Sequence, residues 1–593
     1  MATGKKLINS VESCVDDNLA GYVALNPGVR LLQGHPGVVI RADYEELQRE
    51  GKVAVLCGGG SGHEPAFAGY VGQGMLAAVA MGPVFACPPA SEMLAAIRAV
   101  GRHNPAGCLM LIPNYTGDRL NFGLAAERAQ GEGIRIATHV IGEDCALTTS
   151  DKSAGRRGLT GIPVTIKIAG ALAEEGRKLG DIVPILKRVL SNMASIGVAL
   201  SPCFVPGGGP TFSLPHDEME LGLGVHGEAG VRRLKMMSAR DTVAAMLDHM
   251  TSPDNTNRLP LQKSDRVAVF INDLGGISHM ELNIVAKETI QYLESRGIVV
   301  VRALCSPFLT SLEMAGTHVT VLRVDDDVTR CLDAPTKSPH WPRSLLPSGV
   351  SDRFSPAPLQ LKHVETDPAQ DVTSGMTFSA EEGQCMRSMV RAACQAVMDK
   401  ESTLNSLDTG AGDGDCGATL ARGARGVLNE LARDLPVCKP ALLASRLAAI
   451  AESTMGGASG GLYGLFFTGV LAALSEEGTK DVWSEALRQG IARMTRYGGA
   501  DPGDRTMLDA LQPALDALTA SSSSDDVTPT SGRFERAVLA AEKGAESTRE
   551  MKARAGRASY VSTSLLQQPD AGAVGVATWL RAAYTAFSSR PSS

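Results

Sequence analysis

A proline-rich stretch divides this chain into two parts with different sequence patterns. Seven prolines and several serines lie between Pro335 and Pro368, and they interrupt any helical or strand period. Such a composition favours an extended linker over a packed element. The sequence therefore predicts two separate structural parts, joined by a linker at residues 335–373.

The part before the linker has the pattern of an α/β protein. Short runs rich in β-branched residues, such as "KVAVLCGGGSG" and "CLMLIPNYTGD", end in glycine-rich turns and alternate with alanine-rich helical stretches. A second set of runs begins at "DRVAVFINDLGG". We expect two α/β units, at 1–190 and 191–334, with mixed or parallel sheets. Ligands of such sheets bind beyond the carboxyl ends of the strands.

The part after the linker has a helical period throughout. Ser379 and Glu382 form a capping-box pattern, and apolar residues then recur on one helical face. Similar periods continue to residue 588 with no convincing strand between them. Residues 374–593 are therefore predicted to form an all-helical domain of about eight helices, close to a bundle.

Charge and composition limit the class of partner. The chain has a net charge of -7 and no basic block, which argues against nucleic acid as a partner. No signal peptide or apolar run of about 18 residues is evident, so we expect a cytoplasmic protein and no membrane partner. Its twelve cysteines form no C-x-x-C pair, which favours reduced thiols over disulfides or zinc.

An aspartate loop in the second part is the most chemically informative stretch. In "LDTGAGDGDCGATLARG", Asp408, Asp413 and Asp415 alternate with glycines, so three carboxylates can converge before a helix begins. Hard oxygen ligands select Mg²⁺ or Ca²⁺, and the start of a helix suits phosphate. The loop lacks the downstream glutamate of an EF-hand. We therefore predict a site for Mg²⁺ and a nucleotide.

Two other stretches of the second part are open to more than one interpretation. Gly457–Gly461 matches the G-x-S-x-G elbow of serine hydrolases, with Ser459 as nucleophile. The preceding residues have a helical period where that elbow requires a strand, so close approach to phosphate is the better interpretation. Arg505, Thr506 and Arg557 are individually weak candidates for phosphate contacts.

Histidines accompany two glycine-rich stretches of the first part. "GGGSGHEP" satisfies neither the Walker nor the Rossmann pattern, and it predicts a flexible loop in which Ser61 and His63 bind a small polar molecule. Asp118 follows another predicted strand and is expected nearby. His226, in "LGLGVHGEAG", has small and flexible neighbours. A lone histidine is more often structural than functional, so its role depends on what surrounds it.

Seven motifs in one order give the chain a family resemblance. "GGGSGHEP", "NYTGDRLNFGLA", "ELGLGVHGE", "GDGDCG", "MGGASG", "PGDRTMLD" and "GRASY" together resemble the ATP-dependent dihydroxyacetone kinases, the family that includes the animal triokinase/FMN cyclases. The resemblance runs from about residue 5 to 588 and is interrupted at the linker. It implies phosphorylation of dihydroxyacetone and D-glyceraldehyde by ATP.

The resemblance implies specific roles for the first part. His226 matches the residue whose ring nitrogen adds to the substrate carbonyl and holds the triose as a covalent hemiaminal. Asp118 matches the catalytic acidic residue that accepts the proton of the attacking hydroxyl, and His63 matches a substrate hydrogen-bonding residue. Gly60, Ser61 and Gly62 are implied to line the same substrate site.

The resemblance also implies roles for the second part. Asp408, Asp413 and Asp415 would hold Mg²⁺ against the phosphates of ATP. The family's helical domain lies over the substrate domain of a dimer partner, which implies a homodimer whose domains act in trans. The implied nucleotide contacts are Asp413, Gly414, Asp415, Cys416, Ala458, Ser459, Gly498, Thr506, Met507, Arg557, Asp570, Ala571 and Gly572.

Two positions depart from the family pattern. Pro113 stands in "PNYTGD" where the family usually has a lysine that contacts the substrate, so weaker triose binding is expected. Ala458 stands where relatives often have serine, a smaller change because backbone amides remain. Animal members also cleave FAD to AMP and riboflavin cyclic 4′,5′-phosphate, with Mn²⁺ favoured. This lyase activity needs no hemiaminal, so it is the alternative if Pro113 weakens the kinase.

Two further hypotheses belong to other functional classes. The chain is a regulatory binding protein if it turns over neither triose nor FAD, although the aspartates and His226 argue against this. It is a serine hydrolase if Ser459 is acylated by a fluorophosphonate probe.

Overall fold

The computed structural model divides into two compact units, Met1–Pro356 and Ala357–Ser593. It describes residues 4–147, 156–342, 354, 375–476, 481–520, 530–562 and 566–589. Residues 343–353 and 355–373 of the predicted linker lie outside the described part of the chain. Each unit is described by itself below.

The first sheet of the first unit has six strands in the order β1-β2-β4-β3-β5-β6. β4, β3, β5 and β6 run parallel, and β1 and β2 extend this core by antiparallel pairing. The strands are β1 (Val29–Leu32), β2 (His35–Arg41), β3 (Ala54–Ser61), β4 (Ala78–Val84), β5 (Cys108–Pro113) and β6 (Ile136–Ile141).

Six helices accompany this sheet. The helix between β4 and β5 and the helix between β5 and β6 give crossover connections of the kind that parallel strands require. They are α1 (Cys14–Leu25), α2 (Tyr44–Arg49), α3 (Ala90–Gly101), α4 (Thr116–Gly131), α5 (Gly161–Glu174) and α6 (Leu179–Ser191).

The second sheet also has six strands, in the order β11-β10-β12-β7-β8-β9. Only β10 and β11 pair in parallel, and the other neighbours are antiparallel. The fold-class prediction of α/β architecture with mixed or parallel sheets is confirmed. The strands are β7 (Met193–Ala199), β8 (Glu218–Leu221), β9 (Arg232–Lys235), β10 (Arg266–Asp273), β11 (Val299–Ser306) and β12 (Gly316–Arg323); the helices are α7 (Ala239–Thr251), α8 (His279–Ser295) and α9 (Asp326–Asp333).

The two sheets share one hydrophobic core. Helix α5 is buried along nearly its whole length, and its apolar side chains belong to the same cluster as Val55 of the first sheet and Phe270 of the second. Burial of this much apolar surface on both sides of one helix is the main stabilising contribution of such a core. The two predicted α/β units therefore form a single compact body.

The first residues of the predicted linker are packed against this body. Thr336 Oγ1 donates a hydrogen bond to the carbonyl oxygen of Gln73, and Ser338 Oγ donates to Gly69. Trp341 is 6% exposed and packs against Phe270. The predicted start at Pro335 is therefore too early, because specific hydrogen bonds and an aromatic anchor hold residues 335–342 in the first unit.

The second unit contains nine α-helices among its described residues and no described strand. The capping box of Ser379 and Glu382 is present, as predicted. The short helix α11, directly before the aspartate loop, was missed. The helices are α10 (Ala380–Asp399), α11 (Glu401–Thr409), α12 (Cys416–Arg433), α13 (Pro440–Ile450), α14 (Gly457–Ser475), α15 (Val482–Gly498), α16 (Leu508–Thr519), α17 (Thr530–Ser547) and α18 (Ala571–Ser588).

Helix α14 is long and apolar enough to cross a membrane by length and composition alone. The expectation that no apolar run reaches this length is wrong for this helix, because its 19 residues carry no charge. Its Tyr463 and Phe466 lie in the main apolar cluster of the helical unit, together with residues of α15 and α16. A core helix of a bundle meets the same criterion.

Candidate active site

Two histidines from distant parts of the chain meet in the first unit. His63 follows β3, and His226 lies in the turn between β8 and β9. Their Nε2 atoms are 3.1 Å apart. His63 Nδ1 lies 2.7 Å from the carbonyl oxygen of Thr310, and that oxygen can only accept, so His63 carries its proton on Nδ1. Burial, together with the nearby His226, lowers the pKa of His63 to about 3.

Glu228 fixes the orientation of the second imidazole. Its Oε1 lies 2.7 Å from His226 Nδ1, and its Oε2 accepts a hydrogen bond of 2.9 Å from the His226 backbone N–H. Burial disfavours the charge of Glu228, but the hydrogen bond and charge of His226 outweigh it and lower the pKa of this carboxyl to about 2. An ionised carboxylate can only accept, so His226 donates from Nδ1 and directs its Nε2 towards His63.

Glycine is required beside this pair. A Cβ at Gly224 would lie 2.0 Å from Glu228 Oε2 and 2.6 Å from Arg157 Nη1. Gly222 and Gly227 have φ angles of +78° and +85°, which side chains other than glycine rarely adopt. The small neighbours seen in the sequence therefore make room for the carboxylate of Glu228 and for the tight turn that carries His226.

Two aromatic rings border the histidines. Phe85 stacks on His63 with 5.0 Å between ring centroids and meets His226 edge-on at 5.3 Å. Tyr115 meets His226 edge-on at 5.1 Å, and its hydroxyl donates to the carbonyl oxygen of Gly158 at 3.0 Å. These rings restrict the orientation of His226 and exclude bulk water from one side of its ring.

Asp118 supplies an acidic group in the same region. It lies in the first turn of α4, directly beyond the carboxyl end of β5. Its side chain is buried, and Oδ1 has no hydrogen-bond partner. Burial raises its pKa to about 6, against the opposing effects of the Cys87 hydrogen bond and the charge of His226. A buried carboxylate with a free oxygen is poised to accept a proton near neutral pH.

The glycines before His63 lie inside strand β3 rather than in a flexible loop. A Cβ at Gly58 would lie 2.3 Å from the carbonyl oxygen of Ala80, and one at Gly60 would lie 2.7 Å from Ala86 N. Ser61 Oγ donates to the carbonyl oxygen of Gly82 at 2.8 Å, and Gly62 N donates to Glu64. The prediction of flexibility is wrong because close packing against β4 requires these glycines.

The predicted metal ligands converge at one end of the helical unit. Asp408, Asp413 and Asp415 each offer a carboxylate oxygen within 4.8 Å of the others. Asp408 Oδ2 accepts hydrogen bonds from the backbone N–H groups of Asp415 and Cys416, at 3.0 and 3.2 Å. Three oxygen donors at this spacing would fit a hard divalent cation such as Mg²⁺.

Arg557 and Asp570 flank the carboxylate cluster. The guanidinium of Arg557 forms an ion pair with Asp413 Oδ2, so it lies where phosphate charge is expected. Asp570 is the N-cap of α18 and accepts a hydrogen bond of 2.8 Å from Ala573 N. Burial raises its pKa to about 6, opposed by the Ala573 N–H and by the charge of Arg505.

The remaining predicted nucleotide contacts lie around the starts of three helices. Ala458 and Ser459 are in the first turn of α14, and Gly498 lies beside Leu462 of the same helix. Met507 directly precedes α16. Its side chain would lie 3.4 Å from a Cβ built at Gly572, and Gly572 follows Ala571 in the first turn of α18. Thr506 N donates to Asp509 Oδ2 at 2.7 Å. Free N–H groups at helix starts favour anions.

The structure does not support the nucleophile elbow at Ser459. Helix α13 and a π-helical turn at Ala451–Met455 precede Gly457, in the place where a hydrolase requires a strand.

Several side chains of the site were not selected from the sequence. Glu228, Phe85, Tyr115 and Cys87 contact the predicted catalytic residues, but they come from three different loops. Only Glu228 had a local signal, since it lies two residues after His226.

Comparison with protein-family models divides the chain as the structure does. Residues 20–340 match the Dak1 domain and residues 410–585 match the DAK2 domain.

Comparison with known proteins gives relatives over nearly the whole chain. The chain is 46% identical to human triokinase/FMN cyclase, covering 98% of this chain and 99% of the relative. It is 40% identical to a putative 3,4-dihydroxy-2-butanone kinase of Solanum lycopersicum, covering 98% and 97%. The crystal structure of the dihydroxyacetone kinase from C. freundii in complex with AMP-PNP and Mg²⁺ matches with a TM-score of 0.63 and 33% identity, covering 98% and 99%.

Proposed function

Because this chain belongs to the dihydroxyacetone kinase family, we propose that it is an enzyme that transfers the γ-phosphoryl group of ATP to dihydroxyacetone and D-glyceraldehyde. The observation that carries this proposal is the pairing of His226 with Glu228 and His63 beside the buried Asp118. The aspartate cluster of the second unit supplies the complementary nucleotide and metal site. The names of the relatives support the same substrate class, since they designate kinases of short carbonyl compounds.

His226 captures the substrate in the proposed mechanism. Its Nε2 lone pair forms a bond to the carbonyl carbon, and the carbonyl π electrons move to the oxygen, which takes up a proton. The ring is then an imidazolium with a proton on Nδ1, and the Glu228 carboxylate at 2.7 Å compensates its positive charge. A polyol such as glycerol has no carbonyl to capture, so the histidine selects short carbonyl sugars.

Asp118 activates the hydroxyl that attacks the phosphorus. Since burial raises its pKa to about 6, the carboxylate is mostly ionised at neutral pH and is still basic enough to accept the hydroxyl proton. The new bond joins this hydroxyl oxygen to the γ-phosphorus, and the bond between that phosphorus and ADP breaks. His63 completes the site by hydrogen bonding to the substrate.

The second unit holds the nucleotide in this proposal. Asp408, Asp413 and Asp415 would hold Mg²⁺, which would supply charge neutralisation and orientation for the phosphates. Arg557 exchanges its partner Asp413 for phosphate oxygen. Asp570 and the helix starts at Cys416, Ser459 and Ala571 contact the rest of the nucleotide.

A second activity, FAD-AMP lyase, is favoured by the replacement at Pro113. This change affects the triose site but leaves the aspartate cluster intact. The ribityl 4′-hydroxyl of FAD attacks the neighbouring phosphorus, the bond to the AMP phosphate breaks, and the hydroxyl proton leaves with AMP. No water is consumed, and the product is riboflavin cyclic 4′,5′-phosphate. We propose that Mn²⁺ supports this reaction.

The proposal extends to assembly and location. We propose a homodimer in which the helical unit of one chain serves the triose site of its partner, as the family resemblance implies. A cytoplasmic location agrees with the spacing of the twelve cysteines, which form no C-x-x-C pair.

One experiment separates these possibilities. The purified protein is assayed with ATP, Mg²⁺ and dihydroxyacetone, and separately with FAD and Mn²⁺, beside the variants His226→Ala and Asp415→Asn. We expect His226→Ala to lose at least about 10²-fold of the kinase kcat/KM and to keep FAD cleavage. Asp415→Asn should lose both. No turnover of either substrate by the wild type would support the regulatory binding protein, and fluorophosphonate labelling of Ser459 would support the hydrolase.

A further inference from the structure

An exposed tyrosine lies beside the aspartate cluster of the second unit. Tyr560 has 91% of its surface exposed, the highest value for an aromatic side chain within the described ranges. Burial of an aromatic ring is a major source of binding energy, and a free ring of this kind is available for stacking. None of the roles proposed above uses Tyr560.

The backbone geometry directs this ring to the side of the metal ligands. Arg557–Tyr560 form a single 3₁₀-helical turn, in which side chains three residues apart are eclipsed. Arg557 and Tyr560 are the first and fourth residues of the turn, so they lie on the same face. That face is oriented by the ion pair between Arg557 and Asp413.

Apolar contacts hold this turn against the aspartate loop. Ala558 is buried and lies in one small cluster with Ala553 and Leu566, against which Ala411 and Val561 pack. Ala411 belongs to the loop that carries Asp408 and Asp413. The position of the turn that carries Tyr560 is therefore fixed relative to the carboxylates from two sides, by an ion pair and by packing.

The two proposed nucleotide substrates differ in what they present beyond the metal-bound phosphates. ATP ends in its γ-phosphate there, whereas FAD continues through the ribityl chain to the flat isoalloxazine ring. A stacking surface on the phosphate side of the site therefore has a partner in FAD and none in ATP. We propose that Tyr560 binds the isoalloxazine ring of FAD and so favours the lyase substrate.

The test uses Tyr560→Leu, which removes the ring, and Tyr560→Phe, which keeps it, in the full-length protein. We expect Tyr560→Leu to raise the KM for FAD about 2- to 13-fold, the range that an aromatic pair contributes. The KM for ATP in triose phosphorylation should change less than about twofold. Tyr560→Phe should behave like the wild type. The matched control is Trp483→Leu, which removes another exposed ring of the same unit and should alter neither constant.

A binding measurement complements the kinetics. Stacking on a phenol quenches flavin fluorescence, so riboflavin cyclic 4′,5′-phosphate should be quenched on binding to the wild type in the presence of AMP and Mn²⁺. We expect Tyr560→Leu to bind this product more weakly and without the quenching. Tyr560→Phe should bind it as tightly as the wild type but without the quenching, because a phenyl ring stacks like a phenol and is a poor electron donor. Thermal melting of each variant confirms that the fold is unchanged.

The outcomes separate this inference from the proposed function on which it rests. Equal losses for FAD and ATP, or no loss for either, would overturn the assignment of Tyr560 to the flavin. Absence of FAD cleavage by the wild type would instead contradict the proposed lyase activity. In that case the binding measurement decides: quenching that Tyr560→Leu abolishes supports the flavin site, and no quenching by the wild type overturns it.

Discussion

His63 Nε2 and His226 Nε2 lie 3.1 Å apart, while the Nδ1 atom of each ring is engaged with a different acceptor. Both rings therefore donate from Nδ1 and direct Nε2 into the same space. A substrate carbonyl that enters this space meets the Nε2 lone pair of His226, the nucleophile of the proposed hemiaminal, with His63 Nε2 beside it.

The first prediction concerns the carboxylate that stabilises the charged adduct. Glu228→Gln keeps a side chain of the same size but removes the negative charge that compensates the imidazolium. We expect the kinase kcat/KM to fall about 10²-fold or more. Binding of carbonyl-labelled [¹³C]dihydroxyacetone, followed by NMR, should show a smaller fraction of tetrahedral carbon than in the wild type.

FAD cleavage by Glu228→Gln serves as the internal control and should stay within about twofold of the wild type, since that reaction uses no hemiaminal. An unchanged fraction of tetrahedral carbon would refute the role of Glu228.

The sequence predicted these residues unevenly, for physical reasons. His63, Asp118 and His226 can be selected from the sequence because each lies in a short glycine-rich or polar motif. The aspartate loop can be selected because its aspartates alternate with glycines. Phe85, Cys87 and Thr310 could not be selected, because their roles depend on how strands from distant positions are ordered in two sheets. The glycines of β3 were misassigned to a flexible loop because glycine favours turns and also permits close packing of strands.

The second prediction uses the tight space around Glu228. Gly224→Ala would place a Cβ 2.0 Å from Glu228 Oε2 and 2.6 Å from Arg157 Nη1, so the carboxylate must move away from His226. A displacement of about 1 Å at a catalytic group lowers the rate about 10²-fold, and we expect a loss of this size in the kinase kcat/KM. The measurement is steady-state triose phosphorylation at saturating ATP.

Gly123→Ala is the matched control, because no heavy atom lies within 4 Å of a Cβ built there, and alanine is favoured over glycine within a helix. It should leave both activities unchanged. Full kinase activity in Gly224→Ala would contradict the tight contact between this turn and the carboxylate.

The third prediction concerns the pH dependence of the kinase. Asp118 acts only when ionised, and burial raises its pKa to about 6, so kcat/KM should rise with pH through about 6 and fall tenfold per unit below it. The Cys87 thiol can donate to the Asp118 carboxyl. Its other acceptor is the carbonyl oxygen of Pro88, 3.3 Å from Cys87 Sγ. Cys87→Ala removes this donor and should move the midpoint upward by about half a pH unit.

Cys87→Ser restores a hydroxyl donor and should return the midpoint to the wild-type value or below it. The pH profile of FAD cleavage is the control, since Asp118 has no part in that reaction. A midpoint that is the same in Cys87→Ala and the wild type would show that the thiol does not act on Asp118.

The last prediction concerns Pro113, the final residue of β5. The register between β3 and β5 ends at Leu56 and Met110, so the missing N–H of Pro113 interrupts no bond to β3. Because proline presents no cation to the substrate, we expect Pro113→Lys to bind dihydroxyacetone about tenfold more tightly, the gain of one charge-assisted hydrogen bond.

Isothermal titration measures the two affinities, with Pro105→Lys as the control that adds the same charge at an exposed loop position. FAD affinity should be equal in all three proteins. Coinciding triose affinities in Pro113→Lys and the wild type would show that this position does not weaken the kinase.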